Sequence, residues 1–211
     1  KSIREFNKPL ITGAYGGDWK NLENAAFVLN EQGELIGPPY KKQKLIPIVE
    51  SYNKPSNPNW HRDVFTIKNI KIGLQICYEG LFPNLSNNLV NNGADFIVNL
   101  TNDSWFGKEV QPYQHFYLSL ARSFEIQKPI LRVNNSGISG LADGYNTIKK
   151  IIDIDSKEAV LVEIKVEKNN SKSFYTKFES YISIVMILIT SLILAMLFAM
   201  SRNLKMRHFL E

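Results

Sequence analysis

IKIGLQICYEGLFPNLSNNLVNNGADFIVNLTNDSWFG, residues 70–107, decides the fold. Ile70 to Cys77 is apolar and β-rich, and it ends in a turn marked by Glu79-Gly80. Leu81, Leu85 and Leu89 then recur at four-residue spacing, which predicts a helix to Asn91, with Gly93 as the residue that ends it. Ala94 to Leu100 (ADFIVNL) is short and almost wholly apolar, as expected of a strand covered on both faces. Thr101 to Gly107 is a polar loop.

The pattern repeats downstream. Phe116, Leu120 and Phe124 predict a helix over Gln114–Ile126, followed by a strand from Pro129 to Val133 and a polar loop from Asn134 to Gly140. Ile148 to Ile154 and Ala159 to Val166 read as two further β runs. Upstream, Leu10 to Tyr15 reads as a buried strand, and Ala25 to Leu29 with Leu35-Ile36 as a hairpin across Asn30 to Gly33. A Lys-rich stretch (Tyr40 to Tyr52) and the irregular NKPSNPNW (53–60) lead to strand-like Val64 to Thr66. Helices alternate with strands only in the middle of the chain, so the expectation is an α/β sandwich of mixed sheets with helices outside. Three strands end in the polar loops Cys77-Tyr78-Glu79, Asn99 to Trp105 and Asn134 to Ser136. Strand ends on one side of an α/β sheet are where ligands bind, so these loops are expected to converge.

The chain is 211 residues long with a formal charge of +5. Tyr181 to Met200 contains no charge, and about 20 apolar residues suffice for a helix to span a bilayer. Beyond residue 180 the charges are Arg202, Lys205, Arg207 and Glu211, so residues 1–180 hold 22 basic and 19 acidic side chains. That near balance gives no electrostatic reason to invoke nucleic acid. The predicted division is one domain over 1–180, a transmembrane helix over 181–200 and a short basic tail over 201–211. There is one cysteine, Cys77, which excludes an intramolecular disulfide and a Cys-rich zinc site. No His/Asp/Glu cluster has metal-ligand spacing, and no GxGxxG or P-loop is present.

A lone cysteine is often a small buried hydrophobe. Cys77, however, directly follows an apolar strand at the start of a helical turn, where backbone N–H groups can lower a thiol pKa and hold an oxyanion. A cysteine nucleophile needs a base, plus a cation or N–H pair for the negative charge on the attacked carbonyl. Of the three histidines, His61, His115 and His208, none sits in a papain-like context, and His115 reads as a satisfied helix residue. Cys–Lys–carboxylate chemistry is the better candidate.

Several motifs occur in order: Tyr40, Lys42, Leu45-Ile46-Pro47 and Glu50; ICYEG (76–80); NLTNDSWFG (99–107); Arg122 to Glu125; NNSGISG (134–140); FYTKF (174–178); then one hydrophobic helix. From about Pro9 onward the chain resembles the carbon–nitrogen hydrolase (nitrilase-like) domain of the bacterial apolipoprotein N-acyltransferases. The resemblance implies an αββα sandwich, truncated at its N-terminus, ahead of one transmembrane helix. It implies Cys77 as nucleophile and Lys42 as the oxyanion-stabilising lysine of a Glu-Lys-Cys triad, alongside the Tyr78 backbone N–H. Glu50 and Glu79 match supporting carboxylates, the first to hold Lys42 charged and the second to orient the cysteine turn. Trp105 and Phe106 match a substrate-access loop, although bare sequence reads them equally as core aromatics. The implied partners are a phospholipid acyl donor, a diacylglyceryl-modified lipoprotein acceptor and the membrane, with no cofactor, no metal and a monomeric state. The implied location is the bacterial inner membrane, with the domain on the periplasmic face.

The departures are specific. Ile48-Val49 stand where the family has Gly and an aromatic, and the segment from Lys42 to Cys77 is short for the family. No match to the WPE-like motif of the catalytic glutamate precedes Leu10, and Glu5 lies in KSIREF, which lacks that pattern. The expectation is therefore the C-terminal part of a longer enzyme, inactive alone. Two alternatives stay open: a membrane-anchored amidase of nitrilase type, and a degenerate, non-catalytic acyl-binding domain.

Overall fold

A computed structural model describes residue 5 and residues 7–18, 21–50, 63–168 and 171–207; NKPSNPNW, His61 and His208 lie outside them. The chain divides into two compact units at Ser173/Phe174. In the first unit β1 (Leu10–Asp18), β2 (Asn21–Leu29) and β3 (Tyr40–Lys41) form a small antiparallel sheet. A six-stranded sheet runs in sequence order through β4 (Val64–Ile67), β5 (Ile70–Ile76), β6 (Phe96–Thr101), β7 (Ile130–Asn134), β8 (Ser139–Ala142) and β9 (Ile148–Ile152). Only β5, β6 and β7 are parallel; α1 (Pro83–Asn91) and α2 (Val110–Ile126) make the two crossovers. β4 turns into β5 through Lys68 and Asn69, both at positive φ, as a two-residue hairpin requires.

Neighbouring residues of β6 separate the layers. Ile97 packs with Leu89, Phe116, Leu120, Ile126 and Ile130 in the core between helices and large sheet. Val98 packs with Ala26, Val28, Tyr40, Phe65 and Leu74 in the core between the two sheets. β6 is thus buried on both faces, which is why its sequence is a continuous apolar run rather than an alternating one. The architecture is an α/β sandwich of mixed sheets with helices outside, as the sequence predicts.

Local differences have physical causes. Leu10 to Tyr15 is a strand but not a buried one, since Gly13, Ala14 and Tyr15 are exposed. The 25–36 hairpin is reduced to one bridge between Leu29 and Leu35, on the edge of β2 that β3 occupies further along at Ala25 and Ala26. Ala159 to Val166 has strand-like alternation but no sheet assignment, because no strand among the described residues pairs with it. Helix α2 begins at Val110, four residues before the predicted start.

The second unit is helix α3 (Phe174–Arg207), 34 residues and so about 50 Å at 1.5 Å per residue. Its charge-free stretch from Tyr181 to Met200 exposes Ile184, Leu188, Leu192, Leu197 and Phe198, and it is long and apolar enough to cross a membrane. In the first unit, Leu120→Ala is expected to cost about 2–5 kcal/mol, because Leu120 is fully buried under the large sheet. Denaturant unfolding followed by circular dichroism measures it.

Candidate active site

The three polar loops converge as predicted. Cys77, Asn102 and Asn134, each at the C-terminal end of one of the parallel strands, line a single cavity of about 880 Å³. Lys42, Glu50, Tyr78, Trp105 and His115 line it too. Cys77 opens the short 3-10 turn Cys77–Leu81 with φ +52°, a left-handed conformation that a non-glycine residue adopts at a cost. The carbonyl of that strained residue is held by Asn99 Nδ2 at 3.3 Å. Gly80 lets the turn settle on α2: a Cβ there would meet Ser119 Cβ at 2.8 Å and Asn99 Nδ2 at 3.0 Å.

Lys42 leaves β3 and is buried, and its Nζ donates to Glu50 Oε2 at 2.6 Å. Glu50 accepts further hydrogen bonds from the Ile46 N–H at 2.7 Å and Asn24 Nδ2 at 3.1 Å. Burial pushes the Glu50 carboxyl up, but the bonds from Lys42 and Ile46, with the Lys42 charge and Asn24, outweigh it and leave it below the usual carboxylate value. Burial pushes the Cys77 thiol up; the Lys42 charge opposes that, Asp103 adds to it, and Arg132 and the Tyr78 N–H pull the other way.

Glu79 does not face the cavity. It is fully buried, and it accepts hydrogen bonds from Tyr40 Oη at 2.7 Å, the Ile76 N–H at 2.7 Å, the Lys44 N–H at 3.1 Å and the Gln43 N–H. Its carboxyl sits above the usual value because burial outweighs these four donors. Glu79 therefore ties the backbone after Lys42 to the backbone before Cys77, as an orienting role requires. Trp105 is 65% exposed at the cavity, so it is no core aromatic. Ile48 is 90% exposed with φ +70°, a left-handed conformation that a β-branched residue adopts at a cost.

The sequence reading missed a polar core behind Cys77. Arg132, fully buried in β7, donates to Asp103 Oδ2 at 2.8 Å, Ser119 Oγ at 3.0 Å and Asn99 Oδ1 at 3.2 Å. Asp103 also accepts from Asn134 Nδ2 and lies 2.9 Å from His115 Nδ1. Burial raises the Asp103 carboxyl, but His115, Arg132 and Asn134 together hold it below its usual range. The signal was present: an arginine in the apolar strand ILRVN needs a buried anion. His115, read as a satisfied helix residue, has a paired Nδ1 but a buried, unpartnered Nε2. Cys77, Asp103 and His115, dispersed in sequence, bring a sulfur, an oxygen and a nitrogen within 4.8 Å of one another. That spacing would suit a metal ion, but both Asp103 oxygens are engaged and the Arg132 guanidinium lies against the same group.

Residues 2–168 match the carbon-nitrogen hydrolase family model. The chain is 31% identical to an apolipoprotein N-acyltransferase of Bdellovibrio bacteriovorus, over 89% of this chain and 39% of that protein. It is 37% identical to the one from Rickettsia typhi, over 93% of this chain and 44% of that protein. It thus spans about two fifths of the length of these curated relatives. Among solved structures, a carbon-nitrogen hydrolase from Helicobacter pylori superposes with TM-score 0.63 at 15% identity, covering 73% of this chain and 61% of the other. An amidase from Nesterenkonia, caught with acrylamide added to its active-site cysteine, gives 0.59 at 20% identity, covering 69% and 59%. These likenesses show the nitrilase-like fold, and the family match over most of the domain places this chain in the carbon-nitrogen hydrolase family.

Proposed function

We propose that this chain is the catalytic portion of a membrane-bound N-acyltransferase that moves an acyl chain from a phospholipid to the α-amine of the S-diacylglyceryl-cysteine of apolipoproteins. The observation that carries this reading is the shared cavity of Cys77 and Lys42, with Lys42 fixed by Glu50. The names of the relatives and the apolar helix α3 support it. Cys77 Sγ attacks the ester carbonyl of the phospholipid, and the thiol proton ends on the oxygen of the departing lysophospholipid. The carbonyl oxygen takes on negative charge opposite Lys42 Nζ and the Tyr78 N–H, and collapse expels a lysophospholipid and leaves a Cys77 thioester. The acceptor amine then attacks the thioester, the same cation holds the second oxyanion, and the C–S bond breaks to give the amide, with one amine proton restoring the Cys77 thiol. Trp105, exposed at the cavity, is the substrate-contacting aromatic. Both substrates reside in lipid, so an anchoring helix keeps them concentrated at the site. We place the domain on the periplasmic face of the inner membrane, with Arg202, Lys205 and Arg207 on the cytoplasmic side, and the protein acts as a monomer.

In the full-length gene product, labelled phospholipid is expected to give a Cys77-bound, hydroxylamine-sensitive acyl group and then a labelled lipopeptide. Cys77→Ala abolishes both, and Lys42→Met lowers turnover about 10²–10³-fold, the scale of one lost oxyanion contact. Ammonia release from amides with no acylated peptide would instead establish an amidase.

Glu50 gives a separate test. Its folded-state pKa is depressed, so its contribution to stability is complete above the ordinary value of about 4.5 and is lost as pH falls through the lower folded value. The melting temperature of the wild type is expected to fall on that acid limb more steeply than that of Glu50→Gln, which is less stable at neutral pH.

A further inference from the structure

The oxyanion contact assigned to the Tyr78 N–H depends on which way one peptide plane faces. A trans peptide points its C=O and its N–H in opposite directions, and no peptide bond among the described residues is cis. Turning over the plane between Cys77 and Tyr78 would put a carbonyl oxygen where a donor is needed, against the negative charge that develops there. Cys77 and Tyr78 both line the cavity, and the Tyr78 N–H bonds the Cys77 sulfur and pulls its thiol down against burial. The plane therefore stands with its N–H beside the sulfur and its carbonyl turned away.

That carbonyl accepts from Asn99 Nδ2 at 3.3 Å. Chemistry as well as distance fixes the direction of the amide. Arg132 can only donate, so the Asn99 atom 3.2 Å from Arg132 Nη1 is the amide oxygen, and Thr101 Oγ1 donates to the same atom at 2.6 Å. With two donors on Oδ1, the amide nitrogen is left to face the cysteine turn, and the charge of Arg132 polarises it into a better donor. Asn99 is fully buried, and Gly80 leaves the space it needs, since a Cβ at 80 would lie 3.0 Å from Nδ2. The left-handed φ of Cys77 is unfavourable for a side-chain-bearing residue, so the turn needs a grip from outside itself.

We propose that Asn99 is a positioning residue for acyl transfer: by holding the Cys77 carbonyl, it keeps the Tyr78 N–H aimed at the oxyanion. The inference rests on the acyl-transfer reading above. Asn99 touches no reacting atom and moves no proton, so its role is separate from that of the catalytic base expected upstream. Its effect belongs to the transition state, because the ester or thioester oxygen gains its full charge only there. Both half-reactions pass through an oxyanion at the same place, so both depend on the same peptide plane.

The test uses the full-length gene product in membranes, with labelled phospholipid and a diacylglyceryl lipopeptide. Asn99→Ala deletes the amide without adding charge. Asn99→Asp keeps acceptors for Arg132 and Thr101 and removes only the donor to Cys77; each variant is checked for wild-type melting. In both, Cys77 acylation and transfer to the lipopeptide are expected to fall together by about 10²-fold, the lower end for a lost oxyanion donor, with KM unchanged. A second readout needs no substrate: alkylation of Cys77 by iodoacetamide in Asn99→Ala shifts to higher pH, because the sulfur loses the Tyr78 N–H. Wild-type rates in both folded variants overturn the proposal. So does a loss in Asn99→Ala alone, which would show that Asn99 serves only as the acceptor for Arg132. If the wild-type protein forms no Cys77-bound acyl group, it is the acyl-transfer reading that fails, and the alkylation profile still reports on the peptide plane.

Discussion

A single buried carboxylate joins the two sheets at the point where the chemistry would occur. Glu79 lies in the turn that follows β5, yet three of its four donors (Tyr40, Gln43 and Lys44) come from the segment that carries Lys42. The fourth is the Ile76 N–H, immediately before Cys77. Lys42 and Cys77 are 35 positions apart, and no stretch of continuous secondary structure links them. This acceptor couples the two segments directly, and burial makes an unpaired donor there costly.

The second constraint lies on the other side of the sulfur. Arg132 and Asp103 form an ion pair with both side chains fully buried, an arrangement that carries a large desolvation penalty and is weak as a source of stability. Its effect is positional. Arg132 holds Asn99, Asn99 holds the Cys77 carbonyl, and Asp103 holds the ring of His115. The cysteine turn is thereby gripped from the small sheet by Glu79 and from the helix layer by Arg132, with the strained φ of Cys77 between the two.

Much of this was legible in the sequence. The apolar runs at 70–76 and 94–100 announced strands because both faces of each are covered, and Gly93 marked the end of α1 through its positive φ. The lysine motif and ICYEG mark Lys42, Glu50, Cys77 and Glu79. Pairings were less legible. Ala159 to Val166 has the alternation of a strand, but a strand exists only where a partner offers its edge, and local pattern does not encode partners. The polar core was hidden for a related reason: Asp103, His115 and Arg132 lie on three different elements, and only the stacking of α2 on β6 and β7 brings them together. His115 shows the limit: its place on a helix follows from the spacing of Phe116, Leu120 and Phe124, whereas its unpaired nitrogen appears only in three dimensions.

The alternation along β6 has a consequence for folding fidelity. Ile97 and Asn99 face the helices, while Val98 and Leu100 face the small sheet. Shifting this strand by one position against its neighbours would drive the amide of Asn99 into oil and set Leu100 against the guanidinium of Arg132. Both errors would be unsolvated and immediate, so the polar cluster that serves the cysteine also proofreads the alignment of the sheet around it.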